Sequence, residues 1–251
     1  MKLEKYHGLG NDFLITLDQS FIGDSKRIIS LCNRYSGIGA DGFIVVRTNP
    51  LEMIFYNQDG TRGEMCGNGI RCFSMFCYNN NLIDSDDFDV VTLDGVKHIS
   101  IVNKDPFNFK VMMGNIIDKI NTAFIEYSNV TYEVLYFNFG VPHAVIFTTE
   151  FDNESLGKYI SNHSTFEHKT NVNFVQILNK NEIKIKTYER GVGFTKACGT
   201  GSCSSFIICY KLNKVNNNII VKQELGDLNI YLEDNKIYMI GPACKVADII
   251  I

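Results

Sequence analysis

The tightest constraint on this chain is a short pattern that occurs twice, as Glu64-Met65-Cys66-Gly67-Asn68-Gly69-Ile70-Arg71-Cys72 and as Lys196-Ala197-Cys198-Gly199-Thr200-Gly201-Ser202-Cys203. Both copies read Cys-Gly-x-Gly, and each opens a mostly apolar run of helical length. They stand 198 − 66 = 132 residues apart, and the same gap-free slide places Tyr56 on Tyr188, Gly8 on Gly140 and Phe13 on Val145. A tandem duplication is therefore expected.

A cysteine followed by Gly-x-Gly at a helix start sits where unpaired backbone N–H groups point outward and the macrodipole is positive. Such a place lowers a thiol pKa. The same N–H groups make an anion site, and the glycines let a carboxylate approach the backbone closely. Two such sites in one chain suggest two cysteines acting on one small anionic substrate.

A length of 251 residues suits one large domain or two of about 125 residues. The 132-residue repeat favours two. A net charge of −4 and a pI near 5.7, with no basic run, argue against a nucleic-acid binder. No apolar run approaches the roughly 18 residues a membrane helix needs, and the N-terminus carries no signal-peptide core, so a cytoplasmic protein is expected. Eight cysteines are too sparse for a disulfide scaffold. Cys32, Cys77, Cys209 and Cys244 read as small buried hydrophobes.

Along the chain, Phe13 to Leu17 reads as a strand after the turn Gly8 to Asp12, and Ser25 to Tyr35 as a helix capped by Ser25. Strands follow at Phe43–Val46 and Met53–Tyr56. The runs Ile70–Tyr78 and Ser204–Leu212 are apolar on more than one face, which predicts helices enclosed by protein. Leu156–Asn162 reads as a short helix, and strands are expected over Tyr132–Phe139, Ala144–Phe147, Asn171–Ile177 and Ile183–Tyr188. The pattern predicts an α/β fold in which a set of strands curls around one apolar helix, twice.

The chemistry follows if the two helix starts serve one substrate. Backbone N–H groups of Gly67, Asn68, Gly199 and Thr200 would hold an α-carboxylate and stabilise the charge that develops as the α-proton leaves. One thiolate removes that proton and the other thiol delivers one to the far face, inverting the centre without a cofactor. Arg190 suits a carboxylate and Glu189 an ammonium group, although a surface ion pair is the plainer reading. His143, beside a Gly-x-Pro turn, either tunes a thiol or is a satisfied structural histidine. Two other classes are open: a zinc-binding module using the cysteine pairs of each copy, and a hydrolase with one nucleophilic cysteine. The x5 and x4 spacings fit zinc poorly, and a lone nucleophile leaves the second copy unexplained.

Seven motifs spread along the chain are similar to those of the diaminopimelate epimerase family: His7-Gly8-Leu9-Gly10-Asn11-Asp12-Phe13, Gly37-Ile38-Gly39-Ala40-Asp41-Gly42, Asn57-x-Asp59-Gly60, Glu64 to Cys72, Pro142-His143, Tyr188-Glu189-Arg190-Gly191 and Ala197 to Gly201. The resemblance implies two pseudo-symmetric domains, each a barrel-like, mostly antiparallel sheet around a central helix, with the site in the interdomain cleft. It implies boundaries at 1–114, completed by 241–251, and at 115–240. Under it, Cys66 and Cys198 transfer the protons, and His143 with Glu189 influence the thiols. Asn11, Asn57, Gly67, Asn68, Asn171, Glu189, Arg190, Gly199 and Thr200 would hold the substrate. The family uses no cofactor or metal and commonly forms homodimers. Where it usually reads Gly-Asn-Pro-His, this chain has Gly140-Val141-Pro142-His143, which puts an apolar side chain at a polar contact. A histidine-like or lanthionine-type substrate is the alternative to diaminopimelate that this change leaves open.

Overall fold

The computed structural model describes residues 2–251, which fall into two compact units: residues up to Met112 together with Ile240–Ile251, and Met113–Met239. In the first unit the order is β1 (Lys2–Gly8), β2 (Asn11–Thr16), α1 (Ser25–Cys32), β3 (Gly42–Thr48), β4 (Leu51–Asn57), α2 (Gly67–Asn79), β5 (Asp87–Thr92), β6 (Gly95–Lys104) and β7 (Phe107–Asn115). β1 and β2 form a hairpin whose connecting residues, Leu9 and Gly10, both take positive φ, the geometry a two-residue turn requires. β3 joins β2 in parallel, and β4 returns antiparallel to β3. Helix α1 is capped one residue earlier than expected: the carboxylate of Asp24 accepts from the Arg27 N–H.

The second unit runs β8 (Asn121–Tyr127), β9 (Val130–Phe139), β10 (Val141–Phe147), α3 (Glu154–Ser161), β11 (Asn171–Asn179), β12 (Glu182–Glu189), β13 (Gly193–Thr195), α4 (Gly199–Lys211), β14 (Asn218–Gln223), β15 (Gly226–Glu233) and β16 (Lys236–Pro242). The connections repeat those of the first unit. β9 and β10 are antiparallel, β11 lies parallel to β10, and β12 is antiparallel to β11. The last strand, β17 (Cys244–Ile250), returns to the first unit and pairs antiparallel with β1. In the second unit the strand in that position is β8, which pairs with β9 directly before it in sequence.

Each unit buries a layer on either face of its sheet because strand side chains alternate. In the first unit Leu3, Leu14, Phe43, Val45, Ile54 and Tyr56 pack with Ile28 and Cys32 of α1. The intervening residues turn to α2, as Phe13 does where its ring lies 3.5 Å from the β-carbon position of Gly69. The second unit packs Ala144, Ile146, Val172, Phe174 and Tyr188 against Leu156 and Ile160 of α3. Helices α2 and α4 are buried over nearly their whole first ten residues, as the two-faced apolar runs predict.

The ladders correct the repeat. Asn11 pairs with Gly8, and Val141 pairs with Phe139, so each opens the second strand of its hairpin and the offset there is 141 − 11 = 130. Phe13 opposes Gly42 and His143 opposes Asn171 at the first rung of the parallel pair, which makes His143 the counterpart of Phe13. Asn173 takes the place of Ile44, and Thr187 that of Phe55. A single-residue connection at Gly140, against two residues at Leu9-Gly10, breaks the gap-free slide.

Candidate active site

Both expected cysteines are the N-caps of enclosed helices. Cys66 has extended backbone (φ −132°, ψ 121°), and its sulfur accepts from the Gly69 N–H at 3.4 Å. Cys198 has the same conformation (φ −134°, ψ 111°) and accepts from the Gly201 N–H at 3.3 Å. Each thiol thus stands at the positive end of its helix, in the place of the serine or aspartate that usually caps there. The backbone of Gly67 and Asn68, and of Gly199 and Thr200, follows directly in the first turn, where N–H groups have no partner within the helix.

Around Cys66 the first unit gathers Asn11, Asn68 and Arg71. The thiol donates to Asn11 Oδ1 at 3.9 Å, Asn68 Nδ2 donates to the same oxygen at 3.0 Å, and Arg71 Nη2 donates to Asn68 Oδ1 at 2.9 Å. Arg71 is wholly buried, and its Nη1 and Nε reach the carbonyls of Gly67 and Pro242. Asn57, at the end of β4, lies apart from this cluster in its hydrogen bonding and donates to Thr61 Oγ1 at 3.0 Å.

Around Cys198 the second unit is more polar beneath the helix. Thr200 Oγ1 lies 3.6 Å from the sulfur, and the Cys198 N–H donates to Gln223 Oε1 at 2.8 Å. Asn173 Nδ2 donates to Nδ1 of His143 at 3.2 Å and to the Ala144 carbonyl, while Asn173 Oδ1 accepts from Thr187 Oγ1 at 2.9 Å. His143 is completely buried, its Nε2 has no hydrogen-bond partner, and burial, helped by the charge of Arg190, pulls its pKa down to about 3. It is neutral at physiological pH. Asn171 Oδ1 accepts from the backbone N–H of Arg190, Arg190 Nη1 donates to the His168 carbonyl, and Glu189 Oε1 accepts from Thr195 Oγ1.

The remaining cysteines separate chemically from this pair. Burial pushes the thiols of Cys32 and Cys209 up to about 12, and raises those of Cys72 and Cys77 further. These are inert packing residues. Cys244 departs from expectation: it is exposed, because β17 presents it at an edge rather than to the core. Among the described residues no three or more His, Cys, Asp or Glu side chains group to hold a metal ion.

Arg71, Asn173, Thr187, Thr195 and Gln223 take part in these clusters, and the sequence marks no role for them. An arginine inside a run apolar on more than one face is the one signal the sequence holds, since a buried guanidinium demands acceptors.

Two sheet-wrapped helices, each opened by glycines and capped by a thiol, define a protein of the epimerase and racemase class, an isomerase. The family model described as diaminopimelate epimerase matches residues 3–129 and 135–246, and the chain belongs to that family. It is 38% identical to a diaminopimelate epimerase of Clostridium perfringens, over 99% of this chain and 98% of the relative, and 37% identical to one of Alkaliphilus metalliredigens, over 98% and 96%. The fold is shared with a PhzF-family phenazine biosynthesis protein of Bacillus anthracis (TM-score 0.75, 13% identity, 99% and 98% covered). It is also shared with a probable proline racemase of Agrobacterium radiobacter (TM-score 0.74, 12% identity, 100% and 92% covered).

Proposed function

We propose that this chain interconverts LL- and meso-2,6-diaminopimelate by cofactor-independent proton transfer at the α-carbon, in the synthesis of lysine and peptidoglycan precursors. The observation that carries the reading is the matched pair of thiol N-caps, each accepting from the third N–H of its own enclosed helix. Inversion needs an acid and a base of like strength on opposite faces of one carbon, and two equivalent cysteines supply them. The α-proton is weakly acidic, so the developing carboxylate charge calls for preorganised donors. In this reading the N–H groups of Gly67, Asn68, Gly199 and Thr200 provide them.

Asn11, Asn57, Asn171, Glu189 and Arg190 take the substrate's remaining polar groups, and a neutral His143 with Glu189 conditions the thiols from the second half. The catalytic halves in this reading are 1–114 with 241–251, and 115–240. The enzyme works in the cytoplasm as a homodimer. Val141, at the ladder position that Asn11 holds in the first unit, supports a second reading in which the distal substrate group differs, as in a lanthionine-type amino acid.

Turnover in deuterated water tests the main reading. Deuterium should enter the α-carbon, and Cys66→Ala and Cys198→Ala should each abolish epimerisation of diaminopimelate. Full activity in either variant rejects the two-base scheme. Faster turnover of lanthionine than of diaminopimelate favours the second reading.

A further inference from the structure

Two side-chain amides stand between Cys66 and the charged groups behind it, and each amide has an oxygen that only accepts and a nitrogen that only donates. At one end is Arg71, which can only donate. Its Nη2 meets Asn68 Oδ1 at 2.9 Å, leaving Asn68 Nδ2 to donate to Asn11 Oδ1 at 3.0 Å. At the other end is the Asp41 carboxylate, which accepts from Asn11 Nδ2 at 2.8 Å. Turning either amide over would set nitrogen against guanidinium or oxygen against carboxylate. The ends of the row settle the orientation of everything between them.

Both ends are themselves held. Arg71 is buried and tied to two backbone carbonyls, and a β-carbon on Gly8 would come within 2.9 Å of its Nη2. The other oxygen of Asp41 accepts from Arg34 Nη2 at 2.6 Å, and Asp41 Oδ2 also takes the Asp12 N–H at 3.1 Å. Asp12 pairs with Lys5 at 2.9 Å and with Arg34 at 2.7 Å. Burial alone would raise the Asp12 carboxyl, but these two cations hold it below the usual carboxylate range.

We propose that Arg71 and Asp41 are positioning residues that lock the amides of Asn68 and Asn11, so that Asn11 offers its oxygen, never its nitrogen, to the Cys66 thiol. The assignment rests on the reading of Cys66 as a proton-transfer group. An acceptor beside the sulfur stabilises S–H over the thiolate, which raises the proton affinity of Cys66 above that of a thiol without one. In the second unit the position of Asn11 is held by Val141, which carries no amide, and Cys198 has the Gly201 N–H and the Thr200 hydroxyl beside it. The charged groups joined to this row by the bonds and ion pairs above are Lys5 of β1, Asp12 of β2, Arg34 and Asp41 of the segment between α1 and β3, and Arg71 of α2.

The test follows alkylation of Cys66 and Cys198 by iodoacetamide against pH, resolved by peptide mass spectrometry. In Asp41→Asn the new amide cannot satisfy Arg34 and Asn11 together without turning Asn11. The Cys66 profile should then move to lower pH by about one unit, with Cys198 unmoved. The double variant Asn11→Asp with Asp41→Asn restores a fully matched row and again presents oxygen to the thiol. Its Cys66 profile should return to the wild-type position or above it. An unmoved Cys66 profile in Asp41→Asn overturns the proposal, as does an equal shift of both thiols. So does failure of the double variant to recover either the fold or the profile. These readouts do not depend on turnover, so a failed proton-transfer reading, seen in Cys66→Ala, stays distinguishable.

Discussion

Asn173 donates its side-chain amide to Nδ1 of His143 across 3.2 Å, which places the proton of the neutral imidazole on Nε2. That imidazole sits on the face of the sheet that covers α4, where the first unit has Phe13. The same exchange of apolar for polar occurs at two further positions, Asn173 for Ile44 and Thr187 for Phe55. The two units share a frame and differ in what they put beneath their thiols.

His143 makes stability depend on pH. Its folded-state pKa of about 3 lies below the ordinary value near 6.5, so between these limits the unfolded chain binds the extra proton. Its contribution is complete above about pH 6.5 and is lost progressively as pH falls towards 3. His143→Phe, which copies the first unit, should flatten this acid limb in urea titrations between pH 4 and 7. At neutral pH the variant should cost only about 1 kcal/mol, since Asn173 keeps the Ala144 carbonyl. An acid limb of undiminished slope would count against the buried neutral histidine.

The two helix-opening glycines are not equivalent. A β-carbon at Gly201 would stand 2.4 Å from Asn173 Oδ1 and 2.9 Å from Thr187 Oγ1, whereas at Gly69 the nearest foreign atom is the Cys66 β-carbon at 3.2 Å. Gly201→Ala should therefore destabilise by about 1–3 kcal/mol. Gly69→Ala should be nearly neutral, because the gain of roughly 1 kcal/mol in helix propensity offsets the tight contact. Denaturant midpoints of the two variants decide it, and equal midpoints would contradict the difference in packing.

Serine is a better helix cap than cysteine but a far weaker acid. Cys66→Ser and Cys198→Ser should each leave the melting temperature unchanged or slightly higher. Each should lower kcat by at least about 10²–10⁴-fold, the usual range for loss of a positioned acid or base. A serine variant that loses stability and activity in parallel would point to a structural thiol.

Val141 is the place to look for specificity. Val141→Asn would give β10 the amide that β2 has at Asn11. If diaminopimelate is the substrate, its kcat/KM should rise about tenfold, or ~1.4 kcal/mol, the worth of one added hydrogen bond. A fall for diaminopimelate with unchanged turnover of a thioether analogue would instead indicate that valine is matched to a less polar distal group.

Much of this was readable in the chain. Glycines after a cysteine, followed by a run apolar on more than one face, mark the start of both enclosed helices. The Gly-rich turns announced the hairpins before β2 and β10. What escaped was set by contacts rather than pattern. Helix α1 stops at Cys32, short of the expected Tyr35, because Asn33 turns out of helical conformation and its side-chain oxygen takes the N–H groups of Tyr35 and Ser36. Tyr35 consequently lies in solvent. Across the hairpin turn the offset falls from 139 − 8 = 131 to 141 − 11 = 130, by the one residue that the second connection lacks, and no period reveals that. The roles of Asp41 and Arg71 emerge only once an obligate donor and an obligate acceptor are seen at the two ends of the same row.

The return of β17 to β1 has a bearing on how the molecule comes into being. A chain made from its N-terminus exposes the flank of β1 long before the strand that covers it, β17, leaves the ribosome. The later half holds every strand of its own ladder in one continuous stretch, so it can fold while the earlier half still waits. Until Cys244–Ile250 arrives, the row of unpaired amides on β1 is open to strangers. Loss of those few residues should therefore tell first on aggregation during expression, before it tells on any rate.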